Sequence, residues 1–220
     1  DKAIEEFTTE AVGTAPNQIL WRMFNAANIA IYEMCLKTPG LRMATTLTAS
    51  IFRNNELIVG HVGDCRAYLI REGRIRRITN DHSYAGVQLK LGLITAEEAA
   101  ASPNRSILTR SVGQDPMIQV DIHRLEMYGG DRFMQCCDGV HAFLTEGEIY
   151  NAVSGHSPEE ACKELVDLAI KRGGDDNLSL QVVHIESVEK RTVHRGQVHF
   201  EKVERSPMSA DLQVGQTLDE

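Results

Sequence analysis

Residues 56–71 read ELIVGHVGDCRAYLIR, two apolar runs hinged on Gly63-Asp64. Their β-branched, aliphatic and aromatic content favours strands over helix, and the Gly-Asp pair marks a turn between them. The same juxtaposition recurs twice. In DRFMQCCDGV, residues 131–140, a strand-like run ends at Asp138-Gly139, and in KRGGDDNLSLQVV, residues 171–183, Asp176-Asn177 stands just ahead of another. A single Asp-containing turn carries no chemistry. Three of them abutting strands can gather carboxylates at one edge of a sheet, where hard, oxygen-preferring cations such as Mg²⁺ or Mn²⁺ neutralise their repulsion. The pattern points to metal-dependent phosphoryl chemistry, with Asp64, Asp138 and Asp176 as candidate metal ligands.

The 220 residues suit one domain of ordinary-to-large size. Apolar residues make up 42% and charged residues 25%, the balance of a globular protein. No apolar run approaches the roughly 20 residues of a membrane span, and the first ten residues, DKAIEEFTTE, lack the basic and apolar regions of a signal peptide. A cytoplasmic setting is expected. Five scattered cysteines, Cys35, Cys65, Cys136, Cys137 and Cys162, have no zinc-site spacing and read as thiols in a reducing compartment. A net charge of −8 argues against a nucleic-acid surface, and the one basic string, REGRIRR at 71–77, alternates with apolar residues as an exposed hairpin does.

Apolar residues at helical spacing predict a helix over 17–37, ended by Pro39-Gly40. A meander of short strands follows, with turns at Asn54-Asn55, Gly63-Asp64 and Glu72-Gly73. Residues 81–111 hold short helical segments, one capped by Thr95 ahead of Glu97 and Glu98, and read as a small insertion between strands. Strand signals resume in MIQVDIHRLEM and DRFMQCC. A helix is expected from about Thr145, and another from Ser157, with Pro158 at its first position and Glu160 completing a capping box, stopping at Gly173-Gly174. From about Ser187 the apolar periodicity is lost, so 187–220 reads as linker or tail.

Six stretches in register, ATTLTASIF, VGDCRAYLIREGRIRRITNDHS, LGLITAEEA, ILTRSVGQDP, GDRFMQCCDGV and GGDDNLSLQVV, resemble the metal-dependent protein phosphatases of the 2C type, in their compact bacterial branch. The resemblance implies an α+β fold of two packed antiparallel β-sheets flanked by helices, a four-layer α-β-β-α sandwich with a small helical flap at about 81–111. The domain spans 1–186. It assigns Asp138 and Asp176 to the catalytic metal centre, and Asp64 with Asp138 to an additional ion, for two ions, or three in a complete site. The family's first two metal motifs are not matched in residues 1–40, where Asp1 and Glu5-Glu6 stand instead, so the N-terminal side of the fold is expected to be incomplete and the chain looks like a fragment. Ala44 replaces a common Gly, while Cys65 and Cys137 replace Ser. VGQTLDE at 214–220 resembles the segment that leads into a bacterial Ser/Thr kinase domain, which makes such a domain an expected partner in the same polypeptide.

The implied activity is hydrolysis of phosphoserine and phosphothreonine in phosphorylated proteins by a metal-activated water, with no covalent phosphoenzyme. The rivals are a catalytically impaired regulatory or binding module on the same fold, and a metal-dependent nuclease, against which the acidic charge counts. Each Asp also has a plainer reading as a turn residue. His82 is expected to anchor the flap, and His61 to be structural. Thr109 and Arg110 tie the flap to the sheet. His141, beside Asp138, is a candidate for substrate contact.

Overall fold

A computed structural model of the chain describes residues 14–194 and 197–203. Helix α1 (Pro16–Lys37) opens with Pro in its first turn and carries Ile19, Leu20, Phe24 and Asn28 on its buried face. The helical spacing read from the sequence thus becomes the face that packs. Asn28 secures it, because its amide donates to the Asp115 carbonyl at 2.9 Å and its Oδ1 accepts the Gly113 N–H at 2.7 Å.

The expected meander is split between two sheets. Strands β1 (Leu47–Arg53) and β2 (Glu56–Val62) form a hairpin, and β5 (Asp121–Glu126) pairs with the other edge of β2. The chain then leaves this sheet at Gly63. Strands β3 (Arg66–Arg71) and β4 (Arg74–Arg77) join β6 (Arg132–Cys136) and β7 (Leu180–His184) in a second antiparallel sheet of order β4-β3-β6-β7. Local alternation is the same in both hairpins, so nothing in the run itself signals a change of sheet.

The sheets pack face to face over Leu57, Val59, Ala67, Leu69, Leu125 and Phe133. Helix α1 covers the outer face of the first sheet through Leu20 and Phe24 against Ile58 and Val62. Two helices, α5 (Glu146–Gly155) and α6 (Pro158–Lys171), cover the second through Ile149, Val153, Ala161 and Leu165. The result is the four-layer α-β-β-α sandwich, with one helix on the first sheet's outer face among the described residues.

Capping boxes start both outer helices, Thr145 with Glu148 and Ser157 with Glu160. Helix α6 ends in a Schellman turn, where the Gly173 N–H reaches Ile170 O and the Gly174 N–H reaches Ala169 O, with Gly173 at φ +92°. Part of the segment read as linker is ordered as a hairpin of β8 (Glu189–His194) and β9 (Gln197–Lys202). Val188 and Val203 at its base add to the core between the sheets, a pairing of distant apolar residues that a search for local periodicity misses. Residues 204–220, including VGQTLDE, and the acidic residues Asp1, Glu5 and Glu6 lie outside the described residues.

The insertion at 81–111 holds α2 (Tyr84–Lys90) and α3 (Ala96–Ala101), the latter capped by Thr95 as expected. It is fastened at its base by a Ser83–Leu108 bridge and by the Thr109 N–H on His82 O at 2.8 Å. His82 Nε2 lies 3.1 Å from Asp121 Oδ2, and Arg110 donates to Asp121 Oδ1 at 2.6 Å. The flap-anchoring roles expected of His82, Thr109 and Arg110 are all seen. Burial opposes the Asp121 charge, but the hydrogen bonds from His82 and Arg110 outweigh it and hold this carboxyl well below the usual range.

Two outcomes follow. Leu165 is fully buried, so Leu165→Ala should lower unfolding free energy by about 2–5 kcal/mol in denaturant titration. A carboxyl with a depressed folded pKa stabilises above its unfolded pKa, and that contribution disappears as pH falls below about 4. Asp121→Asn should therefore lower Tm at pH 7 and flatten the acid side of the Tm–pH profile, while an unchanged profile would detach Asp121 from flap anchoring.

Candidate metal centre

The crossover between the sheets, Gly63-Asp64-Cys65, carries the first candidate ligand. Gly63 has φ +114°, and a Cβ there would lie 2.3 Å from Thr46 Cγ2, so only glycine fits. His82 grips this turn from both sides: its backbone N–H donates to Gly63 O at 2.7 Å, and its Nδ1 accepts the Gly63 N–H at 3.1 Å. Nδ1 acts as acceptor, which places the ring proton on Nε2, facing Asp121.

Asp138 is the first residue of a short helix, α4 (Asp138–His141), directly after β6. Its Oδ1 accepts the Gly139 N–H at 2.9 Å, and the residue is exposed. Glycine is again required next to the carboxylate, since a Cβ on Gly139 would lie 2.6 Å from Asn177 O. The close approach joins the Asp138 turn to the Asp176 loop. Cys137 strengthens the join, donating its N–H to Ser179 O at 3.0 Å and its thiol to Asn177 O at 3.1 Å. Asp176, exposed, accepts the Asn177 N–H at 2.7 Å.

Asp64 and Asp138 come close enough to act on each other. Burial pushes the Asp64 carboxyl up to about 6, and the charges of Asp138 and Asp81 push the same way. Arg66 is the cation nearest in effect, but it forks onto Asp81 through Nε at 3.1 Å and Nη2 at 2.7 Å. Asp64 is therefore a buried carboxylate among like charges, and its neighbouring cation is already spoken for. This all-oxygen pair suits a hard divalent cation. Among the described residues no group of three His, Cys, Asp or Glu side chains forms a ready ligand set; Asp176 sits on the loop braced against Asp138. Two shallow concavities, along α6 and along the outer face of α1, include none of these carboxylates.

His141 faces inward. It is buried, and its Nε2 donates to the Asp64 carbonyl at 2.9 Å, which ties the Asp64 turn to α4. Burial lowers its pKa to about 4, so the ring stays neutral. That hydrogen bond makes it a positioning residue for the Asp64 turn. His61 is structural as read: fully buried, pushed down to about 3 by burial, and held by the Thr48 hydroxyl at 2.8 Å and Asn80 O at 3.1 Å. The Arg66–Asp81 fork and the His141 tether were missed from sequence. The cue for the fork was the hairpin itself, which returns Asp81 beside the start of β3.

The sequence profile of protein phosphatase 2C matches residues 10–86. A relative from Streptococcus pyogenes serotype M6, described as protein phosphatase 2C-type, is 33% identical over 169 residues, covering 76% of this chain and 69% of the relative. The serine/threonine protein phosphatase PstP of Mycobacterium tuberculosis is 34% identical over 162 residues, covering 73% of this chain and 31% of PstP. The crystal structure of the M. tuberculosis phosphatase superposes with TM-score 0.77 at 31% identity, over 84% of this chain and 80% of that one. The PstP catalytic domain in complex with two manganese ions gives TM-score 0.73 at 30% identity, over 82% and 77% of the two chains. A sandwich whose sheets exchange the chain at a buried aspartate, together with these likenesses in sequence and fold, makes the chain a member of the protein phosphatase 2C family, whose members are metal-dependent enzymes.

Proposed function

We propose that this chain hydrolyses phosphoserine and phosphothreonine esters in phosphorylated proteins, using Mn²⁺ or Mg²⁺ held by Asp64, Asp138 and Asp176. The observation that carries the reading is the buried Asp64 carboxylate set against Asp138 with Arg66 committed elsewhere. The substrate class is supported by the relatives, which are named serine/threonine phosphatases, one of them with two manganese ions. Bound divalent ions supply a water of lowered pKa and positive charge for the phosphoryl oxygens.

The protein's own part is placement. Gly63 and His82 fix the Asp64 turn, His141 ties that turn to α4, and the contact of Gly139 with Asn177 brings the Asp176 loop alongside Asp138. Cys65 is no nucleophile in this scheme. Its thiol lies 3.2 Å from the Thr46 hydroxyl, and burial pushes it up to about 11, so the thiolate is scarce at neutral pH. Neither His61 nor His141 offers a proton near pH 7, since both rings are neutral and hydrogen-bonded inside the protein.

A cytoplasmic location belongs to this reading, in keeping with five free thiols. No helix among the described residues is long and apolar enough to cross a membrane. A Ser/Thr kinase domain as partner in the same polypeptide rests only on the sequence of 214–220.

Calorimetric titration of Mn²⁺ should show saturable binding that Asp138→Ala removes, with turnover of a phosphothreonine peptide falling at least about a hundredfold in the same variant. Binding without turnover in the parent would favour the regulatory module, and no binding would remove the metal reading. Cys65→Ser and Cys137→Ser should both keep turnover; loss of activity in either, with the fold intact, would contradict hydrolysis by water.

A further inference from the structure

At the edge of the sandwich away from the carboxylates, the two sheets present an uncompensated cation. Arg76 on β4 pairs with Leu69 across the ladder, and His123 on β5 pairs with Val59. Leu69 and Val59 belong to the core between the sheets, so Arg76 and His123 face each other from the two edge strands. Each is half-buried, and each has a buried nitrogen, Arg76 Nε and His123 Nε2, with no hydrogen-bond partner among the described residues. Lys90, exposed at the end of α2, lies close enough for its charge to act on His123 from the flap.

The charges here do not balance. Burial lowers the Arg76 pKa and Arg71 adds to the effect, with no carboxylate opposing either. Arg71 is itself committed to Asp131, at 2.7 and 2.6 Å. Burial lowers the His123 pKa first, and His82, Lys90 and Arg76 lower it further, against Asp121 alone. Asp121 has both oxygens engaged, by His82 and Arg110. A half-buried guanidinium without a counter-charge is costly, and proteins ordinarily pair such a group. Its forked donors suit a tetrahedral oxyanion.

We propose that Arg76, His123 and Lys90 form a binding site for a phosphate-class oxyanion, distinct from the carboxylate centre. Five residues of β2 and the crossover separate Val59, beside His123, from Asp64, a backbone path of at most about 16 Å at about 3.3 Å per residue. The shared chemistry admits two sources, free inorganic phosphate or a second phosphoryl group on a bound phosphoprotein.

The test is titration of inorganic phosphate into the whole chain, followed through the imidazole NMR signals of His123. A saturable shift is expected, weakened about tenfold or more in Arg76→Ala, partly restored in Arg76→Lys and weakened less in Lys90→Ala. Asp138→Ala should leave it unchanged. Absence of saturation, equal affinity in Arg76→Ala and Lys90→Ala as in the parent, or loss of the shift in Asp138→Ala would overturn the site. Lys90 is exposed, so its variant tests the proposal even if Arg76→Ala fails to fold. A second arm compares singly and doubly phosphorylated threonine peptides: a rise in KM with unchanged kcat in Lys90→Ala, for the doubly phosphorylated peptide alone, identifies a substrate phosphoryl group, whereas inorganic phosphate binding without that rise identifies the free ion. The peptide arm rests on the phosphatase reading and the phosphate arm does not, so the two can fail separately.

Discussion

Two hydrogen bonds join His82 to Gly63, and the crossover, the flap base and an edge strand meet through them. The chain changes sheets at Gly63, in a conformation closed to a side chain by its positive φ and by Thr46. His82 supplies both a donor and an acceptor to that one residue, then reaches Asp121 on the first sheet with its other nitrogen. One imidazole thereby links the crossover, the base of the flap and an edge strand. Loosening it would release Asp64 and the flap together, because nothing else among the described hydrogen bonds joins all three.

Much of the fold could be read from sequence where it depends on local rules. The α6 helix announces itself through Ser157, Pro158 and Glu160 and ends at Gly173, as the capping box and the Schellman turn confirm. Helix α1 shows its buried face through the spacing of Ile19, Leu20 and Phe24, whereas the buried Asn28 carries no apolar signal. What failed was non-local. Whether β2 and β3 share a sheet depends on which distant strand each finds, and β2 takes β5 while β3 takes β6. The β8–β9 hairpin was hidden for the same reason: Val188 and Val203 at its base join a core that includes the distant Leu57, Leu69 and Phe133.

The site divides along the same line. Asp64, Asp138 and Asp176, the proposed ligands, stand out in the sequence because each lies beside a glycine or asparagine turn at a strand end. The direction of a neighbouring ring was not. His141 follows Asp138 by three residues, within one turn of α4, and sequence alone leaves both faces of that turn open. The structure turns the ring inward onto the Asp64 carbonyl, since a buried carbonyl needs a donor and the neutral imidazole provides one.

Asp64 also carries a cost to its own fold. Its folded pKa of about 6 lies above the ordinary carboxylate value, so the folded state holds this proton more tightly than the unfolded chain does. Stability attributable to Asp64 therefore declines as pH rises from about 4 to about 6, and the full penalty remains above that. Allowing for screening by water, the cost is on the order of 1–2 kcal/mol. That is a substantial part of a typical net stability, which is about 5–15 kcal/mol. A turn residue chosen for folding alone would be Asn, which carries no charge. An ionised carboxylate kept beside Asp138 and Asp81, with Arg66 diverted to Asp81, is the feature on which the proposed cation site rests, since a bound cation would turn the same repulsion into affinity.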